Sequence, residues 1–70
     1  MTVNYAYNYA IIDPETGMCI EFVSTSHEDN ETPNAILVPV NDPEYICKYY
    51  INGNWYEDAE GTIPWTSSLL

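Results

Sequence analysis

Residues 3–12, VNYAYNYAII, alternate with a period of two: Tyr5, Tyr7, Tyr9 and Ile11 fall on one side, Ala6, Asn8, Ala10 and Ile12 on the other. That period is the pattern of a β-strand. It runs into Asp13-Pro14-Glu15-Thr16-Gly17, where Asp suits the first turn position, Pro presets φ at the second, and Gly supplies a left-handed residue to close the loop. A hairpin is predicted, with its second strand near residues 18–25. If Asp13 and Gly17 bracket the turn, Ile12 opposes Cys19, Ile11 opposes Ile20, Tyr9 opposes Phe22 and Tyr7 opposes Ser24. The expected core face is then Tyr7, Tyr9, Ile11, Ile20 and Phe22. The other face pairs Ala10 with Glu21 and Asn8 with Val23, the mixture expected of a sheet with one solvated side.

Residues 24–34, STSHEDNETPN, contain no apolar side chain and no period of either kind, which predicts a mobile acidic loop. The apolar run 35–40, AILVPV, reads as a short strand that Pro39 places at an edge or ends early. Asn41-Asp42-Pro43-Glu44 predicts a turn or one short helical turn near 42–46, because Tyr45-Ile46-Cys47 leads directly into the next strand.

The strongest local signal is Lys48-Tyr49-Tyr50-Ile51-Asn52-Gly53-Asn54-Trp55-Tyr56-Glu57. A type I′ turn needs positive φ at both central residues, and Asn-Gly tolerates it best. With Asn52 and Gly53 at the tip, Ile51 faces Asn54, Tyr50 faces Trp55, Tyr49 faces Tyr56, and Lys48 faces Glu57. Each aromatic or opposite-charge pair adds roughly 0.2–1 kcal/mol over Ala–Ala. Beyond Glu57, Gly61 and Pro64 break any regular element, so residues 60–70 are expected to be irregular, held by Ile63 and Trp65. The fold class is therefore all-β: one domain over 1–70, a small antiparallel meander or half-open barrel. Its strands lie near 4–12, 18–25, 35–40, 45–51 and 54–59 and are built from two hairpins.

Composition changes this picture in two ways. A chain of 70 residues buries only about 60–65% of the surface its unfolded form exposes, so a staple or a partner is expected to support a marginal core. One Lys, no Arg and eleven carboxylates give a net charge of −10. That balance excludes direct nucleic-acid binding, which needs cations against phosphates, and disfavours an anionic membrane. A basic protein, a cation or a neutral glycan remains open. Cys19 and Cys47 lie too far apart for CxxC chemistry, and free buried thiols are favoured over a disulfide. No leader pattern or long apolar run is apparent, which predicts a soluble chain made in the cytoplasm.

Candidate chemistry is sparse. His27 lies among Ser24, Ser26, Glu28 and Asp29 on the polar loop, and adjacent loop residues do not supply the fixed geometry of a catalytic triad. Neither cysteine has a plausible neighbouring base. Asp58-Ala59-Glu60-Gly61 is only a fragment of a calcium loop. No catalytic residue, metal or cofactor is expected. Seven Tyr, two Trp and one Phe are the feature that most exceeds expectation. Packing and protein contact explain them better than sugar stacking does. Tyr49 and Tyr56 fall on one face of the hairpin, Tyr50 and Trp55 on the other, so one pair needs a second layer or another chain. The expected interface residues are Tyr49, Tyr50, Trp55 and Tyr56, with Trp65, Leu69 and Leu70 as a second contact.

Two blocks also carry a family resemblance. Tyr9-Ala10-Ile11-Ile12-Asp13-Pro14-Glu15-Thr16-Gly17 is similar to an opening "Y-A-x-I-D-x-x-T-G", and the run Val40-Asn41-Asp42-Pro43-Glu44-Tyr45 through Lys48-Tyr49-Tyr50-Ile51-Asn52-Gly53-Asn54-Trp55-Tyr56-Glu57-Asp58 is similar to one that closes "D-P-x-Y-I-x-K-Y-Y-x-x-G-x-W-Y-E-D". Both resemble small proteins of bacteriophage and prophage tail-gene clusters and tail-fibre-associated modules. The likeness fails across residues 24–34 and 61–70. It implies a minor virion structural protein of the tail, fibre or neck, without catalytic residues, bound to other virion proteins or to itself as a homo-oligomer. The alternative is an acidic, DNA-mimicking inhibitor of a host defence nuclease or other DNA-binding enzyme. A third expectation is a glycan-contacting receptor-binding module.

Overall fold

The computed structural model describes residues 7–70. In chain order it contains β1 (Tyr7–Ile12), β2 (Cys19–Thr25), β3 (Ala35–Val38), a 3₁₀ turn (Pro43–Tyr45), β4 (Tyr49–Ile51) and β5 (Asn54–Tyr56). The fold is all-β, with two antiparallel sheets ordered β2-β1-β3 and β4-β5. A simple meander would place β3 beside β2; here it returns beside β1, which becomes the central strand. The expected start of the first strand at residue 4, with Tyr5 and Ala6, lies outside the described residues.

The first turn forms between the expected residues. The Gly17 amide donates to the Asp13 carbonyl at 2.8 Å, the Asp13 amide to the Met18 carbonyl at 2.9 Å, and the Asp13 carboxylate accepts from the Glu15 amide at 2.9 Å. Ile12 opposes Cys19 as expected, but the remaining pairs differ by one. Ile11 lies opposite Glu21, Ala10 opposite Phe22, Tyr9 opposite Val23, Asn8 opposite Ser24 and Tyr7 opposite Thr25, with a register shift between Ile11 and Ile12. Ile20 is the extra residue of this bulge and is 53% exposed. The physical reason lies in spacing. Cys19 is fully buried and Phe22 packs on the same core cluster, yet strict alternation puts residues three apart on opposite faces. One bulged residue brings both inward and leaves Glu21 exposed.

The expected core face of Tyr7, Tyr9, Ile11, Ile20 and Phe22 is therefore corrected. The core is built from Ala10, Ile12, Cys19, Val38 and Tyr45, with Phe22, Ile36, Val40, Tyr50, Trp55 and Trp65 packed around it. Asn8 shares the buried side and accepts a hydrogen bond on Oδ1 from the Ser24 hydroxyl at 2.8 Å. Tyr9 is buried as well, because the loop after β2 covers it: the Asp29 amide donates to the Tyr9 hydroxyl oxygen at 2.9 Å. That loop begins at Ser26, since Ser24 and Thr25 belong to β2. It carries its own scaffold, in which Asp29 Oδ1 accepts from the Glu31 and Thr32 amides at 2.9 and 3.1 Å.

β3 is an edge strand that ends before Pro39, as the missing amide hydrogen requires. The expected strand over 45–51 is shorter, Tyr49–Ile51, because Asp42 caps the 3₁₀ turn through the Glu44 amide and Pro43 occupies its first position. Cys47 then takes a left-handed φ of 77°, which separates the turn from β4. The strand expected over 54–59 likewise ends at Tyr56. β4 joins the first sheet at the start of β2, where Met18 bridges Tyr49 and the Tyr50 amide donates to the Gly17 carbonyl at 2.9 Å.

Candidate functional site

The terminal hairpin has the expected register: Tyr49 opposite Tyr56, Tyr50 opposite Trp55, and Ile51 opposite Asn54. Asn52 and Gly53 have φ of 52° and 84°, the left-handed pair that a type I′ turn demands. Lys48 Nζ lies 3.6 Å from Glu57 Oε1, and 5.2 Å from the centroid of the Trp65 ring. One cation therefore ties the base of the hairpin to the C-terminal segment.

The aromatic residues converge on Tyr45, which is 2% exposed and which sequence patterning assigned only to a strand leading into the hairpin. Phe22 stacks on it at 5.9 Å between centroids, while Trp55 and Trp65 meet it edge-on, each at 4.8 Å. Tyr50 completes the group against Trp55 at 5.0 Å. Edge-on and stacked ring pairs at these distances contribute about 0.5–1.5 kcal/mol each beyond their buried area. The signal that could have found Tyr45 is Asp42-Pro43: a capped turn starting there brings the residue three positions after the cap back over the sheet.

The C-terminal segment is irregular but well anchored. The Glu57 amide donates to the Ile63 carbonyl at 2.8 Å and the Trp65 amide to the Trp55 carbonyl at 2.9 Å, so residues 63–65 lie along the free edge of β5. Trp65 pins this segment as expected; the Ile63 side chain is exposed and only its backbone takes part. Farther on, the Ser67 hydroxyl donates to Asp42 Oδ2 at 2.5 Å, and both groups are buried. No periodicity links Asp42 to Ser67, so this contact was not legible in the sequence.

These elements enclose an open hollow of about 200 Å³ lined by Tyr45, Asn54, Trp55, Trp65, Ser67 and Leu70. Its size is below the roughly 300–1,000 Å³ of sites that enclose drug-sized ligands. Of the expected interface residues, Trp55, Trp65 and Leu70 meet here, and Tyr50 backs Trp55 from the core side. Tyr49 and Tyr56 occupy the opposite face of the hairpin and are half-buried. There Gly61, with φ of 70°, passes so close that a Cβ on it would lie 3.2 Å from Ile51 Cδ1 and 3.7 Å from the Tyr56 ring. The residues after β5 therefore supply part of the second layer that the ring pattern called for. Leu69 and Leu70 are 59% and 66% exposed.

The candidate chemical groups lie apart from this hollow. Ser24 donates to Asn8, His27 is exposed with its carbonyl accepting from Thr25 Oγ1 at 2.5 Å, and the Asp58 carboxylate accepts from Thr62 and Ile63. Cys19 is buried and Cys47 exposed, both as free thiols, which corrects the expectation that both are buried. No described helix is long and apolar enough to cross a membrane. Compared with known family models, curated proteins and solved structures, the chain matches none of them.

Proposed function

We propose that this chain is a non-enzymatic assembly subunit, a minor phage virion protein of the tail, fibre or neck, that binds other virion polypeptides or further copies of itself. The observation that carries the binding role is the hollow of Trp55 and Trp65 over Tyr45, rimmed by exposed Leu70. Depressions lined by Tyr and Trp are where interface energy concentrates, because rigid rings offer area at little entropic cost, and Asn54, Thr66 and Ser67 add polar groups to this one. Leu37, 55% exposed on edge strand β3, adds a second apolar contact beside a depression shared with Tyr7, Val38 and Pro39. The virion setting rests on the resemblance of the two motif blocks to tail-cluster proteins.

Two measurements test this. Light scattering coupled to size exclusion is expected to show the isolated chain self-associating, with W55A and L70A shifting it toward monomer, and mass spectrometry is expected to find it in purified particles. A chain that stays monomeric and is missing from particles would overturn the proposal. A second reading follows from charge. The sole Lys or Arg side chain, Lys48, pairs with Glu57, and among the described residues this is the one ion pair on a strongly acidic chain. An acidic inhibitor would retain a basic nuclease on a column at low salt and release it steeply as salt rises.

A further inference from the structure

Cys19 and Cys47 are joined through their backbones. The Cys47 amide donates to the Cys19 carbonyl at 2.8 Å, and the Cys19 amide donates to the Lys48 carbonyl at 2.8 Å. Two residues, Cys47 and Lys48, thus oppose one, Cys19, and the first has a left-handed φ of 77°. This is a bulge whose first position is ordinarily held by glycine. Glycine would hold it at lower cost, so what cysteine adds is its thiol. The bulge sets Cys47 beside Cys19 on adjacent strands, where facing residues lie about 4.5–5.5 Å apart at Cα, inside the roughly 4.4–6.8 Å that a disulfide spans.

We propose that Cys19 and Cys47 are an oxidisable pair that closes into an intramolecular disulfide by exchange with a low-molecular-weight disulfide, locking the terminal hairpin onto the first sheet. Cys47 is exposed and is the entering nucleophile; Cys19 is fully buried, with its thiol directed to the Glu21 carbonyl at 3.2 Å, and resolves the intermediate. Burial pushes the Cys19 thiol up from its ordinary range and the nearby Cys47 charge adds to this, so Cys19 is the poorer first nucleophile. In the first step the Cys47 thiolate attacks the small disulfide, forms a mixed disulfide and expels one small thiolate. In the second, Cys19 loses its proton to solvent, turns from the Glu21 carbonyl, attacks the Cys47 sulfur and expels the other small thiolate. Overall, two protein thiols become one disulfide and the small disulfide is reduced to two thiols.

The test is to incubate the full chain with excess glutathione disulfide, quench with acid, and measure intact mass and a non-reduced peptide map. The expected product is a monomer lighter by about 2 Da than the reduced chain, with Cys19 and Cys47 in one cross-linked peptide. Its thermal midpoint is expected to rise by roughly 10 °C and to return on adding dithiothreitol, since the bridge closes a long loop. C47S is expected to show neither the mass loss nor the midpoint rise. A stable glutathione adduct on Cys47 with Cys19 still alkylatable, a disulfide-linked dimer, or no reaction would each overturn the proposal.

Discussion

A single carboxylate organises the turn after β5. Asp58 accepts from the Thr62 hydroxyl and, on Oδ1, from the Thr62 and Ile63 amides, each at 2.9 Å. The Thr62 hydroxyl above all, then the Ile63 amide, holds the Asp58 carboxyl below the ordinary aspartate value of 3.8. A pKa lowered by folding stabilises the ionised form, so the contribution is complete above 3.8 and drains away as pH falls through the folded value. Asp58→Asn is therefore expected to lower stability near neutrality, with the gap to the parent narrowing in acid. Urea melts at about pH 7 and about pH 3 check this, and a gap that stays constant would contradict it. Asp29 is held low in the same way by the Thr32 hydroxyl and the Glu31 amide. At this scale the legible features were local in the chain: Asn52-Gly53, Asp13 to Gly17, and Lys48 with Glu57. The Tyr9 hydroxyl meeting the Asp29 backbone was not, because the two are twenty positions apart with the whole of β2 between them.

Among the elements, the 3₁₀ turn has the largest influence for its size. Its three residues place Tyr45 where both sheets and the C-terminal segment converge, against Phe22, Trp55 and Trp65. Removing a buried ring of this kind costs about 3–5 kcal/mol, comparable to the whole stability of a small domain. Tyr45→Ala is expected to abolish the cooperative thermal transition, whereas Tyr45→Phe keeps the rings in contact and melts within a few degrees of the parent, as near-ultraviolet circular dichroism would follow. The strands themselves were largely readable, since alternation and turn residues act within a few positions. The register of β1 with β2 was not. Regular alternation favours Tyr9 against Phe22, but burying both Cys19 and Phe22 needs an extra residue, and that demand comes from Tyr45 and Val38 on other elements.

Taken whole, the molecule is flat: its Cα extents are 44 × 27 × 16 Å and its radius of gyration is 12.3 Å, against about 11 Å for a compact chain of this length. A net charge of −10 with one cation already paired adds self-repulsion to a thin core. Raising sodium chloride from about 10 mM to about 500 mM is expected to raise the thermal midpoint by a few degrees, because screening acts within the Debye length. A midpoint independent of salt would mean the carboxylates are too far apart to interact. The sequence by itself determined the all-β class, both hairpin turns, the register of β4 with β5 and the acidic surface. These depend on φ preferences, two-residue periodicity and charge, which act locally or simply sum. Tertiary structure alone decided that β1 is central, that Ile20 bulges outward, that Tyr45 rather than Tyr7 or Ile11 joins the core, and that Ser67 closes on Asp42. Each is a choice between partners distant in the chain, settled by which arrangement buries the most apolar surface while leaving no buried side-chain polar atom unpaired among the described residues.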